Sequence, residues 1–148
     1  MQVSDDGERR YRLFVYGTLL SGEPRHDHLR GAELVAPIST APQYELVDLG
    51  AFAALVPGGS TVVAGELYAL DPATRAAIDR LLEVPLLFQR ARILLANGDE
   101  ADAYLMSTDR VRGRRRLRHG DWKKRFAPAV PRPEPSAFVK WARGRFTR

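Results

Sequence analysis

Three carboxylates next to apolar runs are the residues best suited to proton-transfer chemistry. They are Glu66 in GELY, Asp79 in IDRLL and Glu83 in LLEVP. A carboxylate in apolar surroundings has a raised pKa and can act as a general acid or base near neutral pH. For each of the three, a structural or solvated role is the alternative.

A second feature with chemical potential is the end of the first apolar run, where Tyr16 is followed by Gly17, Thr18 and Leu19. Glycine permits close approach of a ligand to the backbone, and the threonine hydroxyl adds a donor and an acceptor. Successive backbone N–H groups in such a turn can bind an anion. The alternative is an ordinary strand followed by a turn.

Several other kinds of site are excluded or disfavoured by the sequence. It contains no cysteine, which excludes disulfides, thiolate nucleophiles and cysteine-bound metals. No glycine-rich nucleotide-binding motif occurs, and no serine lies in a nucleophile elbow. His26 and His28 would face one side of an extended segment, but no third ligand follows at a suitable spacing, so a solvated loop is favoured over a metal site. We expect no metal and no cofactor.

The whole-chain properties indicate one globular domain. The chain has 148 residues, with 45% apolar and 28% charged residues, which is typical of a soluble protein with a substantial core. The first residues lack the basic and apolar regions of a signal peptide, and no apolar run approaches the length of a membrane span. These features predict a cytoplasmic protein without a membrane partner.

The apolar patterns predict about seven strands, one clear helix and one or two weaker helices. The clear helix covers 72–82, with Asp71 as its cap and Pro72 at its first position. Asn97-Gly98 predicts a hairpin, and Gly65 predicts a bulge or a close approach. The strands are expected within 11–16, 32–38, 43–49, 50–60, 61–70, 87–96 and 100–106. Successive strands joined by short turns favour an α+β fold with a mainly antiparallel, curled sheet or small barrel and helices at its edge.

Acidic and basic residues are distributed unequally along the chain. Residues 1–109 have a balance of −7 and residues 110–148 a balance of +12, which together give the net +5. We expect a flexible lead-in at 1–10, a folded domain at 11–127 and a basic, proline-rich tail at 128–148 with a possible terminal helix.

Six arginines occur within 110–118. A solvated loop or contact with an acidic partner is favoured, and weak, nonspecific nucleic-acid binding through 110–148 is the alternative.

Taken in order, the motifs VYGTL, GELYAL, IDRLL, FQR and HGDW resemble the γ-glutamylcyclotransferase-like superfamily. The resemblance covers about residues 12–123, and small bacterial members and γ-glutamylamine cyclotransferases are the most similar. It implies a small, distorted β-barrel flanked by helices. It also implies that Tyr16, Gly17, Thr18 and Leu19 present backbone amides to the α-carboxylate of a γ-glutamyl group. The implied reaction closes 5-oxoproline, releases an amine and needs no cofactor.

The resemblance also implies a catalytic glutamate at the end of the helix, and here the sequence departs from the family. A gapless comparison places Leu82 at that position and Glu83 one residue later, which is a rotation of about 100° on a helix. Two hypotheses follow: an enzyme that uses Glu83 as its base, and a noncatalytic member that binds a γ-glutamyl-like or other small carboxylate. Two further residues have alternative roles. Tyr104 either contacts the ligand or is an aromatic residue of the core. Glu66 is expected to anchor structure or shape the pocket, and it is the alternative general base if Glu83 does not serve as one. The oligomeric state is not predicted.

Overall fold

The computed structural model describes residues 10–126, which form one mixed β-sheet with a single α-helix in the described part of the chain. The strands are β1 (Tyr11–Val15), β2 (Glu33–Ser39), β3 (Tyr44–Asp48), β4 (Ala53–Pro57), β5 (Ala64–Leu70), β6 (Gln89–Leu94), β7 (Glu100–Leu105) and β8 (Arg115–Arg116). The helix is α1 (Pro72–Leu81), and single 3₁₀ turns lie at His26–Leu29, Thr108–Val111 and Trp122–Lys124. Each of the seven predicted segments contains a strand, whereas β8 was not predicted.

Strand β7 is the point at which the sheet splits. The strand order is β2-β5-β1-β7-β4-β3-β8, with β6 also paired to β7. Because β6 runs antiparallel along one edge of β7, strands β1 and β4 must share its other edge. They do so at opposite ends and both in parallel, with Leu13 beside Asp102 and Leu55 beside Leu105. The gap between β1 and β4 therefore opens over the middle of β7.

The remaining ladders are antiparallel, and they curl the sheet. A bridge between Thr40 and Leu95 brings the end of β2 to the end of β6, although no ladder closes the sheet among residues 10–126. An extra residue in β2 between Leu34 and Ala36 forms a bulge against β5, which increases the local bend. The predicted α+β fold with a distorted, mainly antiparallel barrel is confirmed.

The centre of the core consists of strands buried on both faces. Leu13, Phe14 and Val15 of β1 are at most 2% exposed, and the residues of β4 from 53 to 56 are also buried. Gly65 of β5 lies so close to β1 that an added Cβ would be 2.2 Å from the Val15 carbonyl oxygen. The predicted close approach at Gly65 is thus confirmed, and it lets β5 lie directly against the strand that leads into the Tyr16–Leu19 turn.

Helix α1 begins as predicted and ends one residue earlier. The Asp71 carboxylate accepts a hydrogen bond from the Thr74 amide at 2.7 Å, and Pro72 occupies the first turn. At the other end the Leu82 amide donates to the Ile78 carbonyl at 3.0 Å. Glu83 then takes φ 52°, the left-handed conformation that commonly terminates helices. This reversal orients the side chains of residues 82 and 83 differently.

The basic segment after β7 belongs to the folded body as far as the structure describes it. Val111, Leu117 and Trp122 are at most 2% exposed, and β8 pairs with β3. The expectation of a solvated loop at 110–118 therefore holds only for part of this stretch. The predicted tail at 128–148, with its terminal helix, lies outside the described residues, as does most of the predicted lead-in. Within 10–126, no helix has both the length and the apolar character needed to cross a membrane.

Candidate functional site

The turn after β1 uses its carbonyl groups and leaves three amides without a partner among residues 10–126. Leu20 donates to the Gly17 carbonyl at 3.0 Å, Arg25 donates to the Thr18 carbonyl at 2.9 Å, and a His26 ring nitrogen lies 2.9 Å from the Leu19 carbonyl. Within residues 10–126, no hydrogen bond occupies the N–H of Gly17, Thr18 or Leu19. Successive unpaired N–H groups in a fixed turn form a concavity suited to an anion.

Glycine is required at the first position of this turn because β4 lies directly against it. A Cβ at Gly17 would be 2.9 Å from the Cβ of Ala53, closer than real Cβ contacts. The missing side chain lets the turn lie across the gap between β1 and β4. The amide groups are therefore held at the split in the sheet, where strands diverge and leave space.

A cleft at this split contains most of the predicted site residues. It encloses about 360 Å³, including its mouth open to solvent. Its walls are Phe14, Val15, Tyr16, Gly17, Thr18, Leu19, Phe52, Ala53, Leu82, Phe88 and Tyr104. Six predicted residues are thus brought together: Tyr16, Gly17, Thr18, Leu19, Leu82 and Tyr104. The walls are largely apolar, as is usual for small-molecule sites, with the polar groups concentrated at the turn.

Two tyrosines, Tyr16 and Tyr104, line the cleft, and the hydroxyl group of each makes a hydrogen bond. Tyr16 donates to the Tyr104 carbonyl at 2.6 Å, and Tyr104 donates to an Asp79 oxygen, also at 2.6 Å. Burial raises the pKa of Tyr16. Burial, and then the hydrogen bond to Asp79, raises the pKa of Tyr104. Both hydroxyls therefore stay neutral at physiological pH, so Tyr104 can contact a ligand with its ring but is not a base.

Asp79 holds Tyr104 in place together with Arg90. The Arg90 guanidinium pairs with the second oxygen of Asp79, and this hydrogen bond raises the pKa of Arg90. Asp79 was one of the three candidate carboxylates, but it does not line the cleft. Arg90 lies in the FQR motif, and its role here is to fix Asp79 behind the tyrosine. The FQR motif therefore supports the cleft wall through Asp79.

Glu66 lies outside the cleft and anchors the far end of the turn. Its carboxylate accepts hydrogen bonds from the Ser21 amide at 2.9 Å, the Ser21 hydroxyl at 2.6 Å and the Tyr68 hydroxyl at 3.0 Å. Burial raises the pKa of Glu66, but the hydrogen bonds from Ser21 and Tyr68 and the charge of Lys123 together outweigh burial, and the net pKa lies below its ordinary value. Glu66 therefore has the character of a structural anion.

The end of α1 places Leu82, and not Glu83, at the cleft. Leu82 is 7% exposed and forms part of the wall, whereas Glu83 is exposed and does not line the cleft. Leu82, which the gapless comparison aligns with the glutamate of the family, is thus the residue that faces the cleft. No carboxylate is among the residues that line the cleft in the described chain. A role for Glu83 as general base stays a prediction.

His26 and His28 both lie in the 3₁₀ turn His26–Leu29. His26 contacts the Leu19 carbonyl and the ring of Tyr68, which ties it to the turn. Within the described part of the chain, no group of three or more histidine, aspartate or glutamate side chains is arranged to hold a metal ion. His26 is a support for the turn that sequence analysis did not identify.

The aromatic side of the cleft was also missed by sequence analysis. Phe52 and Phe88 contact each other with ring centroids 5.9 Å apart, and both line the cleft. Phe52 follows a glycine turn between β3 and β4, and Phe88 precedes β6. They are 36 positions apart in the sequence, and only the pairing of β4 and β6 with β7 brings them together.

Sequence and structure comparisons define the class of protein. A family model described as gamma-glutamyl cyclotransferase, AIG2-like, matches residues 13–124. A Vibrio cholerae protein provisionally named a gamma-glutamylcyclotransferase is 36% identical over 116 residues, which are 78% of this chain and 98% of the relative. Gamma-glutamylaminecyclotransferase A of Danio rerio is 34% identical over 109 residues, covering 65% of this chain and 68% of the relative.

A solved structure supports the same assignment. The solution structure of the Escherichia coli protein ytfP is 33% identical and superimposes with a TM-score of 0.60, covering 78% of this chain and 98% of that chain. The chain belongs to the gamma-glutamyl cyclotransferase, AIG2-like family. The predicted family resemblance is thereby confirmed.

Proposed function

We propose that the cleft binds a γ-glutamyl compound, with its α-carboxylate at the amides of Gly17, Thr18 and Leu19. The observation that carries this proposal is the set of three N–H groups beside the cleft that have no partner in the described part of the chain. Charge-assisted hydrogen bonds from backbone amides to a carboxylate are short and strong. The family membership supports a γ-glutamyl ligand over an unrelated carboxylate.

The proposed reaction is closure of 5-oxoproline. The α-amine nitrogen attacks the γ-carbonyl carbon, the bond from that carbon to the leaving nitrogen breaks, and a proton from the α-amine passes to the leaving amine. The protein's main contribution is to hold the amine against the carbonyl, an arrangement that can correspond to an effective molarity of about 10⁵–10⁸ M. The apolar walls favour this by excluding water from the reacting groups.

Glu83 is the proposed general base, and its exposed position predicts slow catalysis. To reach a ligand in the cleft, its carboxylate requires a rearrangement of the chain at residues 82–84. Removing a buried leucine from the cleft opposes this rearrangement because apolar surface becomes exposed to water. A second candidate function, binding of the ligand without turnover, is favoured by the presence of Leu82 in the wall.

Release of 5-oxoproline from γ-glutamyl amines and dipeptides tests the proposal. The assay compares the native protein with Glu83→Gln and Leu82→Glu, and Glu100→Gln serves as the control because Glu100 is an exposed glutamate on β7. Ligand binding is measured in parallel. We expect slow release by the native protein, a further loss in Glu83→Gln and no change in the control. In Leu82→Glu, a carboxylate at the cleft should raise the rate by about 10²–10⁴-fold.

The outcomes separate the two candidate functions. Native release that Glu83→Gln does not alter would remove Glu83 as the base. Binding without release in the native protein would favour the noncatalytic function. Absence of binding by every γ-glutamyl compound would overturn the proposal itself.

A further inference from the structure

A second cavity, wide open to solvent, shares Phe52 with the cleft. It encloses about 790 Å³, including space open to solvent, and is formed by Leu49, Phe52, Leu87, Met106, Arg110 and Arg114. Three chain segments meet there: the β3–β4 turn, the segment between α1 and β6, and the stretch after β7. Three aliphatic side chains and one aromatic ring form its apolar part, and two guanidinium groups supply its charge.

The two arginines differ from Arg112, Arg115 and Arg116 because no carboxylate pairs with them in the described chain. Nη2 of Arg110 donates to the Leu86 carbonyl at 2.7 Å, and Nη2 of Arg114 donates to the Leu49 carbonyl at 2.8 Å. Each guanidinium carries five N–H donors, so a single bond to a carbonyl orients the group without neutralising it.

Other arginines in the same segment are paired with carboxylates. Arg112 pairs with Asp109 at 2.8 Å, and Arg116 pairs with Glu45 at 2.9 Å. Arg110 and Arg114 are thus two arginines of this segment without a carboxylate partner in the described chain, and both line the cavity, whereas Arg118, which also has none, does not.

Phe52 connects this cavity to the cleft, since its ring lines both. A ligand with its α-carboxylate at the Gly17–Leu19 amides has its γ-carbonyl, and the amine attached to it, further from that turn. Phe52 is the wall that the cleft shares with the second cavity, so a group attached beyond the γ-carbonyl has this cavity as a neighbouring space.

We propose that this cavity, which we call the arginine subsite, binds an anionic group on the leaving amine. The proposal rests on the function proposed above. It assigns the substrate class as γ-glutamyl compounds whose leaving amine carries a carboxylate, such as a γ-glutamyl amino acid, in preference to those of neutral or cationic amines. Ring closure releases the amine with its carboxylate intact, and the proton lost by the α-amine is taken up by the leaving nitrogen.

The chemistry of the subsite fits a carboxylate on a short aliphatic stem. Guanidinium groups bind carboxylates through paired, charge-assisted hydrogen bonds. Leu49, Leu87 and Met106 provide apolar surface for the stem. A cationic leaving group would face two positive charges with no neutralising carboxylate on the cavity wall.

The test measures binding of three probes by calorimetry: γ-glutamylglycine, γ-glutamylmethylamide and γ-glutamylethylenediamine, whose tails are anionic, neutral and cationic. The native protein is compared with Arg110→Gln/Arg114→Gln and with Arg110→Lys/Arg114→Lys. The matched control is Arg112→Gln, which removes an arginine of the same segment that does not line the cavity. Thermal unfolding of each variant confirms that it is folded.

We expect the native protein to bind γ-glutamylglycine at least about tenfold more tightly than the neutral probe, and the cationic probe most weakly. The double glutamine variant should lose this preference while its affinity for the neutral probe stays within about twofold. The double lysine variant should retain part of the preference, and the control all of it. The preference should also fall as salt concentration rises.

Equal binding of all three probes by the native protein would overturn the subsite and leave the γ-glutamyl function standing. A preference that survives in the double glutamine variant would likewise overturn it. Failure of all three probes to bind would refute both proposals together.

Discussion

At the residue scale, the wall of the cleft depends on one carboxylate that is not itself in the cleft. Asp79 accepts from the Tyr104 hydroxyl on one oxygen and pairs with Arg90 on the other. Its side chain and that of Arg90 are each 25% exposed, so water screens the pair only in part. Removing the carboxylate would leave both a buried hydroxyl and a guanidinium without their partner.

We therefore expect Asp79→Asn to destabilise the fold more than Tyr104→Phe. The first change leaves Arg90 without a counter-charge and should cost about 1–3 kcal/mol of the free energy of unfolding. The second removes one neutral donor while Asp79 keeps Arg90, and should cost about 1 kcal/mol. Urea unfolding measures both. A larger loss in Tyr104→Phe would show that the hydroxyl, and not the ion pair, fixes this wall.

At the element scale, the ligand turn is held by contacts at both of its ends. Gly17 lies against Ala53 of β4, and Ser21 is bound by Glu66 of β5. These two strands belong to different parts of the sheet. The position of the turn therefore depends on the whole strand order, although its amides belong to one short stretch of sequence.

Glu66 should make stability depend on pH in the acid range. The pKa of the folded-state carboxylate lies below the ordinary value of 4.5, so on acidification the unfolded chain takes up the proton first. Its contribution is present above pH 4.5 and is lost as the pH falls through the folded-state value. Glu66→Gln should therefore flatten the decline of unfolding free energy below pH 4.5. An unchanged pH profile in this variant would contradict the assignment of Glu66 as an anchoring anion.

The close contact between β5 and β1 predicts a severe effect of Gly65→Ala. The new methyl group would meet the Val15 carbonyl oxygen at 2.2 Å and the Phe14 ring at 2.5 Å, so the strands must separate. We expect a loss of about 3 kcal/mol or more in the free energy of unfolding. Gly31→Ala is the control, because its added Cβ meets only the Thr74 hydroxyl oxygen, at 3.2 Å. A loss in Gly65→Ala no greater than in the control would contradict this packing.

The elements were predictable from sequence because their signals are local. Alternating apolar runs, Asn97-Gly98 and the Asp71-Pro72 start each act within a few residues, and the corresponding strands, hairpin and helix are present. The split at β7 was not predictable in this way, because the parallel contacts of β1 and β4 join distant segments. Strand β8 has only two residues, both arginines, and no apolar pattern to mark it. Leu82 was identified as a candidate site residue by the gapless comparison with the family, and it lines the cleft.

At the scale of the whole molecule, part of the basic charge of residues 110–126 is paired with carboxylates of the preceding body. Arg115 pairs with Asp48, Arg116 with Glu45 and Arg125 with Glu23. Such pairs hold the segment against the sheet and reduce the charge available to an outside partner. Some of the basic residues that follow residue 110 thus form ion pairs with acidic residues earlier in the chain.

This pairing predicts that any binding to duplex DNA is weak, salt-sensitive and nonspecific. Each phosphate contact contributes a slope of about −0.9 to the dependence of log affinity on log salt. Arg118 and Lys124 are exposed, and their side chains have no ion pair or hydrogen bond among residues 10–126. The double substitution Arg118→Gln/Lys124→Gln should therefore make the slope of log affinity against log salt less steep. The control is Arg12→Gln, an exposed arginine of β1, which should leave the slope unchanged. Charge substitution is the appropriate test, since truncation before residue 110 would remove the buried Val111, Leu117 and Trp122. Binding that ignores salt, or that prefers one DNA sequence, would contradict this prediction.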